Sequence, residues 1–73
     1  MPDVTSAPRD RITTALVPKA ATDLERLQER TGRGKTDLVN RAISLYEFIE
    51  RQVTAGAVVL VRHGDETQQV QLL

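Results

Sequence analysis

The stretch RITTALVP alternates two kinds of side chain: Arg11, Thr13 and Ala15 interleave with Ile12, Thr14 and Leu16. In an extended backbone, successive side chains point to opposite faces. Ile12 and Leu16 are the only large apolar residues on either face, so their face is expected to turn inward. Thr14 shares it, able to pack its methyl and satisfy its hydroxyl on a backbone group. The opposite face then presents a guanidinium with parallel donors, a hydroxyl that donates or accepts, and a methyl. Farther on, RGKTDLV sets Gly34, Lys35 and Thr36 at the expected start of a helix. There the unpaired backbone N–H groups and the positive end of the helix dipole favour an anion. Basic residues cluster at both places, Arg9 and Arg11 around the extended stretch and Arg33 and Lys35 around the glycine turn.

The elements that position these groups follow from spacing. Residues 11–17 suit a strand, with β-branched Thr, Ile and Val at period two. Pro18 ends its ladder for lack of an N–H and opens the next helix with φ already set. A lone strand leaves its backbone groups unpaired, so its partner must come from a second copy or another molecule. A helix is expected over Pro18–Thr31, with Ala20, Leu24, Leu27 and Thr31 on one stripe and Gly32 as a cap at positive φ. A second helix starts after Gly34 as N-cap, with Asp37 in its first turn, and ends at Gly56. Its apolar residues, Leu38, Val39, Ala42, Ile43, Leu45, Tyr46, Ile49 and Val53, form a face too wide for one short neighbouring helix, and part of it is expected to meet a second copy. Residues 57–62 and 67–73 are rich in Val and Leu around the turn signal His63-Gly64-Asp65-Glu66, which reads as a β-hairpin. An isolated hairpin is marginal in water, so it is expected to dock on the helices or on a partner. Residues 1–9, with two prolines and little apolar mass, read as a disordered arm.

Composition narrows the function class. A 73-residue chain without cysteine gains nothing from disulfides or thiolate metal sites, and its single His63 rules out a multi-histidine site. Oligomerisation is the remaining remedy for a small core. Lys and Arg total 10, as do Asp and Glu, so basic character is local and not global. No apolar run approaches the roughly 20 residues of a membrane span, and the N-terminus lacks the apolar stretch of a signal peptide. A cytoplasmic protein is expected. His63, Asp65 and Glu66 are turn residues without a partner base or nucleophile, so no enzyme, cofactor or metal is expected.

In order and spacing, the strand RITTALVP, the eight-residue step from Leu16 to Leu24, and LERLQERTGRGKTDLVNRAISLYEFI resemble the ribbon-helix-helix family of DNA-binding proteins, the Arc, MetJ and CopG type. The resemblance covers residues 11–51. It implies a mainly α fold with a short N-terminal strand, an intertwined homodimer in which two strands pair into an antiparallel ribbon, and, in this chain, an added C-terminal hairpin. Residues 1–9 would be an arm, 10–55 the DNA-binding and dimerisation domain, and 56–73 the hairpin extension. The shared core would hold Ile12, Thr14, Leu16, Leu24, Leu38, Ala42, Ile43, Leu45, Tyr46 and Ile49. The ribbon would enter the DNA major groove, with Arg11, Thr13 and Ala15 at base edges. Arg11 matches guanine O6 and N7, and Ala15 offers only a methyl contact. Arg9, Arg33, Gly34, Lys35 and Thr36 would hold phosphates, fixing register rather than sequence. The function implied is a DNA-binding transcriptional regulator, a repressor acting as a homodimer, with several dimers on adjacent sites. Two alternatives stay open: an antitoxin whose residues 57–73 bind a toxin, and a protein-interaction dimer that touches no DNA.

Overall fold

The computed structural model describes residues 8–71; the expected arm lies mostly outside them. Helix α1 spans Pro18–Thr31 and α2 spans Lys35–Thr54, followed by strands β1, Val59–His63, and β2, Glu66–Val70.

Each helix boundary has a local cause. Val17 precedes α1 in an extended conformation, φ −65° and ψ 156°, and Pro18 takes the first helical position where its missing N–H costs nothing. Lys19 pairs with Asp23 one turn on at 2.7 Å. At the other end Gly32 adopts φ 70°, a left-handed conformation that a side chain would strain, and its N–H donates to the Gln28 carbonyl at 2.8 Å. The Thr31 hydroxyl closes the same turn by donating to the Leu27 carbonyl at 2.6 Å. Gly34 is the N-cap of α2, its carbonyl accepting from the Leu38 N–H at 3.0 Å. Thus three residues, 32–34, reverse the chain, and α1 and α2 pack against each other. Gly56, at φ 99°, turns the chain out of α2.

The hairpin is antiparallel, with Val59 opposite Val70, Val61 opposite Gln68 and His63 opposite Glu66. Gly64 and Asp65 make its two-residue loop, with Gly64 at φ 61°, the positive value such tight turns need. Its base approaches the C-terminal end of α2, where Val53, Ala57, Val59 and Val70 border a shallow cleft.

The expected N-terminal strand is not formed. Residues 8–17 carry neither helix nor strand, and the sheet consists of β1 and β2 alone. The fold is therefore two helices followed by a C-terminal hairpin, not a mainly α chain opened by a β-strand. The ribbon-helix-helix arrangement, with its ribbon between two chains, is not a feature of this single chain. A strand exists through its ladder, and the other extended segments here are paired with each other. Alternation of Ile12, Thr14 and Leu16 orients side chains but supplies no partner for their backbone. Nor are these residues buried: Ile12 is 79% exposed and Leu16 46%.

Only Leu38, at 7% exposure, is enclosed among the described residues. Leu24 and Ile49 are half-buried, whereas Ala42, Ile43, Leu45 and Tyr46 lie open, as do Phe48, Leu60 and Val61. The chain leaves 7100 Å² accessible to solvent. A compact folded chain of this length exposes about 4,500 Å².

Candidate nucleic-acid interface

The segment before α1 does not run free of the helices. Together with α1 and the N-terminal half of α2 it borders a concavity of about 590 Å³. Pro8, Asp10, Arg11, Ile12, Thr13, Thr14 and Leu16 line one side; Leu24, Lys35, Thr36, Val39, Asn40 and Ile43 line the other. Pro18 holds the preceding residue extended, and the segment 8–16 borders the hollow together with the first turns of α2. Both alternating faces of 11–16 contribute to the lining, so the separation into an inward and an outward face is not kept.

The concavity gathers part of the expected site. Arg11 and Thr13, assigned to base edges, lie around the same hollow as Lys35 and Thr36, assigned to phosphate. Ala15, Arg9, Arg33 and Gly34 do not border it. All eight residues are exposed. The Thr14 hydroxyl reaches the Ala15 carbonyl at 3.4 Å, long for an O–H donor.

Charge pairing divides the four basic residues. Arg9 is held by Asp10 at 3.0 Å, and Arg33 by Asp37 at 3.0 Å. Arg11 and Lys35 make no ion pair among the described residues, and these two are the ones that face the concavity. Asp37 also accepts from Arg41 Nε, at 3.3 Å on Oδ1 and 3.2 Å on Oδ2. Hydrogen bonding from Arg33, reinforced by Arg41 against a partial desolvation, holds the Asp37 carboxyl below the ordinary range. Arg41 has no place in the sequence-based site. Its signal was present in the spacing 33, 37, 41, which puts three charges one helical turn apart. Asn40, bordering the hollow, donates its amide to the Thr36 carbonyl at 2.7 Å and is thereby tied to its own helix.

No protein-family model, curated protein or solved structure matches the chain.

What the site offers is therefore argued from its chemistry alone. Arg11 and Lys35, three threonine hydroxyls, the Asp10 carboxylate and the first turn of α2 border an open hollow together with the apolar Leu24, Val39 and Ile43. Such a set suits a polyanion with hydrogen-bonding edges better than an apolar small molecule. Among the described residues, no helix is long and apolar enough to cross a membrane.

Proposed function

We propose that the chain acts as a homodimeric DNA-binding transcriptional regulator that represses by occupying promoter DNA. The observation that carries this reading is the convergence of Arg11 and Lys35 on one concavity, beside Thr13, Thr36 and the first turn of α2. Lys35 and the α2 N–H groups serve phosphates; Arg11 and Thr13 serve base edges. Net neutrality is compatible with it, because Asp10 pairs with Arg9 and Asp37 with Arg33, whereas Arg11 and Lys35 make no ion pair among the described residues.

Homodimerisation is supported by the surface. The exposed Ile43 and Tyr46 on one side of α2, and Leu45 and Phe48 on another, give it apolar surface that α1 does not cover, with Leu38 the one enclosed side chain among the described residues. A dimer also doubles the cationic hollow, which raises affinity through bivalent attachment.

The test is a titration of duplex DNA from upstream of the chain's own reading frame at several salt concentrations. Arg11→Ala with Thr13→Ala is expected to abolish preference for that duplex over an unrelated one. Lys35→Ala is expected to weaken both equally and to lower the salt slope by about one per chain. Binding unchanged by all three substitutions would remove the concavity from the mechanism.

A further inference from the structure

The hairpin has an unprotected edge. Its two-residue loop makes His63 and Glu66 a hydrogen-bonded pair, and alternation along the ladder makes Val61–Gln68 and Val59–Val70 the others. The N–H and C=O groups of Leu60 and Arg62 therefore turn away from β2, and Val58 lies in phase with them just ahead of the strand. Natural sheets blunt such an edge with lysine, proline or a bulge. β1 carries no lysine, proline or bulge and a single charge, Arg62, while residues 58–61 are Val-Val-Leu-Val. Val58 is 60% exposed, Leu60 55% and Val61 53%. The other edge belongs to β2, whose Thr67, Gln68 and Gln69 are polar.

We infer that β1 pairs edge to edge with β1 of a second copy, antiparallel and centred on Leu60, joining two hairpins into a four-stranded sheet. The register follows from the outward groups. With Leu60 opposite Leu60, Val58 falls opposite Arg62 and Val59 opposite Val61. Residues 58, 60 and 62 of both copies then occupy hydrogen-bonded positions, so every outward group finds a partner. No like charges meet across this axis. A parallel, in-register alignment would set Arg62 against Arg62 and His63 against His63, which is unfavourable. One face of the sheet then carries Val59, Val61 and Val70 from both copies as a continuous apolar patch. Four strands with such a face exceed the size at which an isolated hairpin is marginal. The occupant is a second copy because the segment is self-complementary in register and charge, Val58 facing Arg62 and the exposed Leu60 facing itself. The pairing concerns assembly alone and stands whether or not the chain binds DNA.

Position 60 lies opposite itself in this register, which allows a charge-complementation experiment on the full chain. Leu60→Lys alone and Leu60→Glu alone are expected to lose the pairing, and their equimolar mixture to regain it. The local readout is amide hydrogen exchange at Leu60 and Arg62. It should be at least about tenfold slower than the unprotected rate in the wild type and in the mixture, and unprotected in each variant alone. Because Leu60 is exposed, the hairpin itself should survive, checked by cross-strand NMR contacts between residues 59 and 70. In a chain without cysteine, Val59→Cys combined with Val61→Cys should oxidise to a covalent dimer linked 59 to 61. Unprotected amides at Leu60 and Arg62 in the associated wild type, no 59–61 linkage, or protection that appears only when a different protein is added would each overturn the inference.

Discussion

Arg33 Nη1 donates to Asp37 Oδ2 at 3.0 Å across the first turn of α2. The contact ties up one of the basic residues best placed for phosphate, at the helix end that most favours an anion. Asp37 thus competes with any incoming phosphate for Arg33, and for Arg41 behind it.

Replacing that competitor should strengthen polyanion binding. Asp37→Asn keeps the side-chain shape and frees both guanidinium groups. Affinity for duplex DNA at low salt is expected to rise roughly threefold to tenfold, with a steeper salt dependence. Fluorescence anisotropy at several ionic strengths would measure it. A fall in affinity would mean that Asp37 orients the arginines rather than withholding them.

Acid should loosen the helices through the same group and through Asp23. Hydrogen bonding from Lys19 lowers the Asp23 carboxyl, as Arg33 lowers Asp37. Both therefore titrate in the folded chain below the ordinary value of 3.8. Their stabilising contribution is complete above the unfolded value and is lost as pH falls through the lower folded one. Thermal melts followed by circular dichroism should show the decline beginning as pH drops below about 4. It should be shallower in Asp23→Asn and Asp37→Asn.

Gly32→Ala should cost about 1 kcal/mol of stability. A Cβ there meets nothing within 4 Å, so the whole effect comes from φ 70°. Gly34→Ala, also in open space but with φ −76°, should cost far less. Denaturant unfolding of the pair separates backbone strain from crowding.

Two substitutions distinguish the chain alone from the proposed dimer. Leu38→Ala empties the single enclosed position among the described residues and should destabilise by about 2–3 kcal/mol. Ile43 is 59% exposed, so in an isolated chain Ile43→Ala should be nearly silent. In the proposed dimer it should lower the melting temperature and make it more dependent on protein concentration. Melts across a hundredfold concentration range would decide between these outcomes.

Much of the backbone course was legible because it depends on local chemistry. Pro18 and Gly32 each act through their own dihedral preferences, and the bounds of α1 follow from them. The N-terminal strand was misjudged for the opposite reason. Its signal, the alternation of Ile12, Thr14 and Leu16, is local, while its existence depends on a ladder partner that one chain does not supply. Of the residues chosen by type, Arg11, Thr13, Lys35 and Thr36 border one hollow, whereas Arg9, Ala15, Arg33 and Gly34 do not. The role of Asp37 was not legible. Whether a carboxylate faces a ligand or its neighbours depends on rotamers, and here both neighbours one turn away are arginines.

Leu38 is the lone enclosed side chain among the described residues, so in the proposed dimer most of the cooperativity would come from outside the protomer. In that assembly dilution would work as a denaturant, and folding would become a second-order reaction whose rate climbs with the number of chains present. The cell's supply of the protein would set not only how much of it exists but what fraction of it has a shape.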